Sequence, residues 1–226
     1  IRRYGAHGTS HQFVSKEIAR RLGREDLKQI VLHLGNGASA SAVRCGKPID
    51  TSMGLTPLEG LMMGTRTGDI DPAVVFHLER VAGMSVGEVD TLFNKKSGMK
   101  GMTGESDMRS VWAMINNDDD PVAQKRARTA MDVYVNRLVK YVGSYTAELG
   151  GLDVITFTAG IGENDVHVRR ELAEALSPFG VKIDVEANKA RSGEPRVISA
   201  PDSTVELVVF PTNEELAIAR QALTFA

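Results

Sequence analysis

Cysteine is nearly absent from this sequence, since Cys45 is the only one among 226 residues. A single cysteine excludes an internal disulfide framework and is typical of proteins from a reducing compartment. The fold must therefore rest on a hydrophobic core, and a hydrophobic content of 42% is enough to build one. A chain of this length predicts one large domain, with or without an appendage.

An excess of charge and long apolar runs are also lacking. The net charge is −2, and no basic stripe with interleaved aromatic residues occurs, so no nucleic-acid partner is expected. No apolar run approaches the ~20 residues that span a bilayer, and no signal peptide is recognisable, so no membrane partner is expected either. The chain begins at Ile1 rather than methionine, which we interpret as a sign that upstream sequence is missing.

Glycine, in contrast, is abundant: 22 of 226 residues, or about 10% against a usual ~7%. Many of these glycines lie in short turns between strand-like and helix-like segments. Backbone amides that bind phosphate are commonly found in such turns. These turns are therefore the first candidates for a binding site.

The pattern of apolar residues predicts an α/β fold with a mixed sheet and flanking helices. Predicted strands cover 29–34, 38–44, 47–52, 152–158, 195–200 and 204–210. Predicted helices cover 12–23, 72–81, 85–93, 107–116, a long segment after Pro121, 165–177 and 214–223. The long helix should bury Met131, Tyr134, Leu138, Val142, Tyr145 and Leu149. A meander followed by strand–helix units resembles, by analogy of element order, the second domain of the actin-like (ribonuclease H-like) ATPases, such as actin, hexokinase and Hsp70.

Two glycine-rich segments could bind phosphate through their backbone amides. The first is a hairpin at 33–37, although any Asn-Gly hairpin would look similar. The second, at 160–164, turns the chain from a buried strand into a helix N-terminus, where free amides attract anions. Because it lacks the third glycine and a preceding βαβ unit, a nicotinamide enzyme is a poor fit.

Several charged residues have both a structural and a functional interpretation. Arg66 stands between glycines and could present its guanidinium to a phosphoryl group, or it could be a surface arginine. His7 and His11 could bind a metal, but flexible residues separate them and no third ligand is evident, so satisfied loop histidines are the default. Asp69 and Asp71 could form a carboxylate pair, yet helix capping explains Asp71.

Two predicted helix starts carry further candidates. Ser106 is predicted to cap a helix whose first residues, 107–109, are a possible nucleotide contact. Thr212 and Glu215 match a capping box, which leaves Glu214 without a structural role. A carboxylate beside a phosphate site could hold Mg²⁺.

Five motifs in this order resemble the acetate kinase family throughout the chain. They are R-R-Y-G-x-H-G-T-S-H at 2–11, H-L-G-N-G-A-S at 33–39, E-G-L-x-M-G-T-R-x-G-D-I-D-P at 59–72, T-A-G-I-G-E-N at 158–164 and P-T-N-E-E-L-x-I-A at 211–219. The resemblance implies a cytoplasmic homodimer that reversibly transfers the γ-phosphoryl of ATP to acetate, giving acetyl phosphate. The resemblance also implies that residues 1–226 are the C-terminal nucleotide-binding domain of a two-domain kinase, with a mainly helical insertion at 72–150.

The resemblance also implies roles for individual residues. His7 and Arg66 would contact the transferring phosphoryl group, Pro57 and Ala6 would lie at the acetate pocket, and Glu214 would bind Mg²⁺ or Mn²⁺. The nucleotide phosphates would be bound by His33, Leu34, Gly35, Asn36 and Gly37. The adenosine part would be held by Asp107, Met108, Arg109, Gly160, Ile161, Gly162, Glu163 and Asn164.

Two departures from the family pattern keep alternatives open. Ala6 replaces a common phenylalanine, so a propionate- or butyrate-type acyl kinase is one alternative. The upstream domain, which in the family supplies an asparagine, another arginine and an aspartate, is expected to be missing. A fragment that binds nucleotide or dimerises without turnover is therefore the other alternative.

Overall fold

The computed structural model describes residues 2–117 and 119–223, and it contains one six-stranded sheet. Its strands are β1 (Lys28–Leu34), β2 (Ala38–Arg44), β3 (Lys47–Thr51), β4 (Val154–Thr158), β5 (Arg196–Val197) and β6 (Glu206–Val209), in the order β3-β2-β1-β4-β6-β5. β1 to β3 form an antiparallel meander, β1, β4 and β6 are parallel, and β5 is antiparallel to β6. The predicted α/β fold with a mixed sheet is confirmed.

Helices cover the sheet on both faces. They are α1 (Gly8–Leu22), α2 (Ala73–Ala82), α3 (Val86–Lys95), α4 (Gly98–Thr103), α5 (Met108–Ile115), α6 (Pro121–Leu149), α7 (Ala159–Asn164), α8 (Val166–Ala175), α9 (Val185–Lys189) and α10 (Glu214–Ala222), with a 3₁₀ turn at Ser177–Phe179. α2 to α6 follow one another between β3 and β4. Among the described residues, no helix is long and apolar enough to cross a bilayer.

The two faces of the sheet belong to separate hydrophobic clusters because side chains alternate along a strand. Ile30 and Leu32 of β1 enter the larger cluster, together with the buried face of α6. Val31 points to the other side, where it packs with Val14 and Ile18 of α1. All six residues predicted for the buried face of α6 are buried, so that prediction is confirmed.

Helix starts were the weakest part of the sequence prediction. α5 is capped by Asp107, whose carboxylate accepts from the Arg109 amide at 2.9 Å, so Ser106 is not the cap. α10 is capped by Asn213, which accepts from the Leu216 amide at 2.9 Å, so the Thr212 capping box is wrong. In both cases an Asp or Asn one residue further on takes the position, because it caps at least as well as Ser or Thr.

Two other boundaries differ from the prediction. α1 begins at Gly8 rather than at 12, because His7 adopts a left-handed conformation (φ 59°) and its carbonyl accepts from the His11 amide at 3.0 Å. Residues 160–162 were predicted as a turn but belong to α7, which follows β4 directly. The predicted helix 165–177 is α8, which starts after its own cap, Asp165.

Candidate functional site

A cleft of about 1230 Å³ opens where the carboxyl ends of β1 and β4 meet the first turns of α5 and α7. Ligands of open α/β sheets bind at the carboxyl ends of parallel strands. Of the residues predicted to contact nucleotide, the cleft is lined by Gly35, Asn36, Asp107, Met108, Arg109, Gly160, Ile161, Glu163 and Asn164. The fold therefore brings together three segments that are far apart in sequence.

Four of the predicted nucleotide contacts do not line this cleft. Leu34 is fully buried in the larger core cluster, and His33 and Gly37 lie on the other side of the hairpin, near His7. Gly162 is a packing glycine, because a Cβ there would lie 3.3 Å from the Phe157 backbone.

The carboxylate of Glu163 is occupied by backbone amides. Its Oε1 accepts from the Ala159 amide at 2.9 Å and from the Thr212 amide at 3.4 Å. Ala159 has a positive φ of 65°, which is an uncommon conformation for a residue other than glycine, so this bond stabilises a strained turn. Glu163 therefore braces α7 against the segment before α10, although it still lines the cleft.

An exposed ion pair stands at the rim of the cleft. The Arg109 guanidinium binds the Asp107 carboxylate in a fork, with Nη2–Oδ2 at 2.6 Å and Nε–Oδ1 at 3.0 Å. This hydrogen bonding, together with the Arg109 amide, lowers the pKa of Asp107 to about 2. The Arg109 side chain is 92% exposed, so it can turn towards a ligand at little cost.

The cleft has an aromatic wall that was not predicted from the sequence. Trp112 donates from Nε1 to Asp165 Oδ2 at 2.8 Å, and its ring centroid lies 4.8 Å from that of His167. All three residues line the cleft. The only available signal was that Trp112 is the single tryptophan of the chain.

Two arginines that line the cleft were also missed. Arg169 is fully buried and donates to Asn188 Oδ1, the Asn188 carbonyl and the Gly162 carbonyl, and burial lowers its pKa to about 10. Arg196 donates to the carbonyls of Ser192 and Glu163. In the described ranges neither guanidinium forms a salt bridge, so their charge favours an anionic ligand. Nothing in the sequence distinguishes them from surface arginines.

A second group of residues meets on the far side of the hairpin. Arg66 Nη1 lies 3.2 Å, and His7 Nε2 3.7 Å, from the position that a Cβ at Gly37 would take. The same Nη1 donates to the Pro57 carbonyl at 3.2 Å. Arg66 and His7 therefore meet at the 35–37 hairpin, and a Cβ at position 37 would crowd the Arg66 guanidinium.

The loop that carries Arg66 is anchored at several points. The Gly64 amide donates to the Asn36 carbonyl at 3.0 Å, which ties the loop to the hairpin. Asp69 accepts from the Gly60 amide and from the Tyr141 hydroxyl, both at 2.8 Å. Asp69 is thus a structural brace, and the Asp71 carboxylate accepts from the Ala73 amide at 2.9 Å near the start of α2.

Three histidines cluster beneath Arg66 because of strand register. β1 pairs His33 with Ser39 of β2 on the face that α1 covers, and α1 brings Ser10 and His11 to the same place. Ser39 Oγ lies 2.8 Å from His7 Nδ1 and 2.7 Å from His11 Nε2, and Ser10 Oγ lies 2.8 Å from His33 Nδ1. The rings of His7 and His33 stack with centroids 4.0 Å apart.

These histidines are neutral at pH 7. Burial lowers the pKa of His11 to about 3 and that of His33 to about 4, with further contributions from neighbouring histidines. Burial and the charge of Arg66 also lower the pKa of His7. Since one ring nitrogen of each histidine faces a serine hydroxyl, the cluster does not resemble a metal site, and no group of three metal-ligating side chains occurs within 2–117 and 119–223.

Acid should destabilise the fold through this cluster. Because the folded pKa values of His11 and His33 lie below the unfolded value of 6.5, the unfolded chain binds the extra protons. The contribution of these histidines to the free energy of unfolding is therefore fully present above pH 6.5. It is lost as the pH falls towards 4, by about 1.4 kcal/mol per pH unit for each histidine. Urea unfolding between pH 7.5 and 4.5 measures this slope.

His11→Gln should reduce the dependence of the unfolding free energy on pH by the contribution of one histidine. His77→Gln, at an exposed position, should leave this dependence unchanged. An equal slope in all three proteins would show that the histidine cluster does not control acid stability.

The two remaining predicted site residues are Ala6 and Glu214. Ala6 is half-buried against the larger core cluster, next to His7. Glu214 is exposed as the first residue of α10, two residues after Thr212, which is bound to Glu163. A single free carboxylate suits Mg²⁺, which usually takes one or two protein ligands and fills its sphere with water and substrate phosphates.

Comparison with known proteins gives consistent matches over the whole chain. A family model described as "Acetokinase family" matches residues 1–220. The acetate kinase of Corynebacterium aurimucosum is 54% identical over 228 residues, covering 100% of this chain and 55% of the relative. That of Leifsonia xyli subsp. xyli is 56% identical over 225 residues, covering 99% and 55%.

Solved structures give the same result. The acetate kinase of Porphyromonas gingivalis has a TM-score of 0.93 at 43% identity, covering 99% of this chain and 56% of that one. A propionate kinase from Francisella tularensis subsp. tularensis SCHU S4 has a TM-score of 0.90 at 42% identity, covering 98% and 55%. The chain thus spans about half the length of the relatives that it matches.

Proposed function

We propose, since this chain belongs to the acetokinase family, that it forms the nucleotide-binding half of an acetate kinase, which reversibly transfers the γ-phosphoryl of ATP to acetate. The observation that carries this proposal is the meeting of Arg66 and His7 at Gly37, on the same hairpin whose Gly35 and Asn36 line the cleft. A nucleotide in the cleft would extend its phosphates along this hairpin towards the guanidinium.

The nucleotide would be held at both ends of the cleft. The adenosine part would lie between 107–109 and 160–164, beside Trp112, which offers a flat apolar surface. The phosphates would approach the hairpin amides, and Arg169 and Arg196 would add positive charge to the same cleft. This arrangement suits a ligand with one aromatic and one anionic end.

The chemistry then requires little from the protein beyond position and charge. An acetate oxygen attacks the γ-phosphorus in line, its bond to phosphorus forms as the bond to the β–γ bridging oxygen breaks, and ADP and acetyl phosphate result. Arg66 would neutralise charge on the equatorial oxygens, and neutral His7 would donate a hydrogen bond to one of them. The acetate pocket would be lined by Pro57, whose carbonyl accepts a hydrogen bond from Arg66, and by Ala6, which precedes His7.

Glu214 would hold the metal ion, either Mg²⁺ or Mn²⁺, which offsets the negative charge of the phosphates when bound. Its carboxylate is exposed and lies close along the chain to Thr212, which α7 holds through Glu163. The other ligands would be water and phosphate oxygens, as is usual for Mg²⁺ in kinases.

A hydroxamate assay of acetyl phosphate tests the proposal in the whole protein, meaning this chain joined to the upstream half that we propose it lacks. Glu214→Gln should raise the Mg²⁺ concentration needed for half-maximal rate by about tenfold or more, because the ion loses its charged ligand. Glu215→Gln, in the same exposed first turn of α10, is the matched control and should change little. Absence of acetyl phosphate from the unaltered whole protein would refute the kinase proposal.

A propionate kinase is the second candidate, because Ala6 is small and a propionate kinase shares this fold with a TM-score of 0.90. One methylene is worth about 1–3 kcal/mol of discrimination. The ratio of kcat/KM for propionate and acetate in the whole protein decides between the two substrates.

The kinase is proposed to be a homodimer, and α2 offers a surface for the second copy. None of its residues is buried, and Val74, Phe76 and Val81 are exposed together with Val86 at the start of α3. Apolar surface of this kind commonly marks an interface. Sedimentation of the whole protein as a monomer would contradict the proposal.

A further inference from the structure

The hydroxyl of Ser39 lies between two histidine rings and can serve only one of them as a donor. Ser39 is fully buried on β2, with Oγ 2.8 Å from His7 Nδ1 and 2.7 Å from His11 Nε2. A serine hydroxyl has one proton and two lone pairs, and a neutral histidine has one N–H and one acceptor nitrogen. The direction of these two bonds therefore decides which nitrogen of His7 carries its proton.

Three arrangements of the protons are possible. If His7 donated to Ser39 and Ser39 to His11, the His11 proton would sit on Nδ1, which is buried and has no hydrogen-bond partner in the described structure. If both histidines donated to Ser39, its own hydroxyl proton would have no acceptor among the described contacts. If His11 donates and Ser39 donates to His7, only a lone pair on His11 Nδ1 stays unmatched.

The third arrangement costs least, because a buried N–H or O–H without an acceptor is rare in folded proteins, whereas an unmatched lone pair is tolerated more often. We infer that His11 and Ser39 are positioning residues that hold His7 in the tautomer with its proton on Nε2. The packing of α1 against β2 thus makes Ser39 the donor, and His7 Nδ1 the acceptor, of the hydrogen bond between them.

The effect of this tautomer on catalysis rests on the proposed kinase activity. His7 Nε2 is the nitrogen that faces Gly37 and Arg66. With a proton there, His7 donates to an anionic phosphoryl oxygen; with the proton on Nδ1, it would present a lone pair to that oxygen and repel it. Burial and the charge of Arg66 lower the pKa of His7 and so favour its neutral form, in which the tautomer decides between donor and acceptor.

Histidine ¹⁵N NMR of this chain tests the inference directly, because the nitrogen shifts and the couplings to ring protons distinguish the two tautomers. We expect His7 to show a protonated Nε2 and an unprotonated Nδ1, and His11 to show a protonated Nε2. Ser39→Ala should convert His7 to a mixture of tautomers. Ser41→Ala, at the next buried serine of β2, whose hydroxyl bonds Thr51 instead, should leave the His7 spectrum unchanged.

A second pair of variants separates positioning from packing. His11→Gln can still donate from its amide to Ser39, so the His7 tautomer should be kept, whereas His11→Leu fills the space without a donor and should lose it. If these variants fail to fold, the spectrum of the unaltered chain decides alone. A His7 that carries its proton on Nδ1 there would overturn the inference.

Kinetics of the whole protein then separate this inference from the kinase proposal. Ser39→Ala should lower kcat on the order of tenfold with little change in KM for ATP, as expected when a transition-state contact is weakened. An unaltered protein without kinase activity refutes the proposed function but not the tautomer, which NMR reads independently. A wild-type Nδ1–H tautomer in an active kinase refutes only the inference.

Discussion

Replacing Arg66 with alanine should lower kcat for acetyl phosphate formation in the whole protein by about 10³-fold or more. An arginine on a transferring phosphoryl group is worth roughly 10³–10⁵ in rate. In the structure Arg66 donates only to the Pro57 carbonyl and, at 3.8 Å, to Met63 Sδ, and it has no salt bridge within the described residues. Its charge is therefore available to a ligand, and steady-state kinetics with the hydroxamate assay measure the loss.

Two variants make this prediction specific. Arg66→Lys keeps the charge but not the planar fork, so it should recover only part of the lost rate. Arg20→Ala removes an arginine that pairs with Glu17 on α1 and does not line the cleft, so its kcat should match that of the unaltered protein. An Arg66→Ala enzyme within tenfold of the unaltered kcat would contradict the role proposed for Arg66.

The fold could be predicted from the sequence where local pattern and tertiary environment agree. The meander was recognisable because Gly35 and Gly37 separate two strand-like segments. The helix α6 was recognisable because its apolar residues recur at steps of three and four along 29 residues. Helix starts were less predictable, since adjacent polar residues such as Ser106 and Asp107 can each cap, and the choice depends on where the preceding loop leads.

The site was predictable only in part, for the same reason. Arg66 and the 35–37 hairpin were candidates because glycines surround them. Since each also had a structural explanation, the resemblance to the acetate kinase family was needed to imply their roles. Arg169 was missed because its burial depends on packing between α8 and α9, where Asn188 takes its side chain. Ser39 was missed as a partner of His7 because only strand register and the placement of α1 bring the two together.

The isolated 226-residue chain should bind ATP but form acetyl phosphate more than about 10³-fold slower than the whole protein. Residues of this chain form the cleft from three converging segments, and Arg169 and Arg196 also line it. We propose that the phosphoryl-transfer side needs more: Arg66 is the one guanidinium near Gly37 in the described structure, and the resemblance to the family implies a second arginine and further polar groups upstream. Loss of one such arginine alone accounts for an effect of this size.

Binding and turnover must be measured on the same preparation, because an unfolded chain would also be inactive. Saturating ATP should stabilise the isolated chain, by about 2.7 kcal/mol at a concentration 100 times Kd, and so raise its Tm. Arg169→Met, which removes a buried charge from the cleft, should weaken this ATP effect, whereas Arg66→Ala should leave most of it. A chain that binds ATP and also turns over at the rate of the whole protein would show that all essential groups lie within these residues. The transferring phosphoryl group would then have to be stabilised by the charge of Arg66, a hydrogen bond from His7 and the metal ion proposed at Glu214 alone.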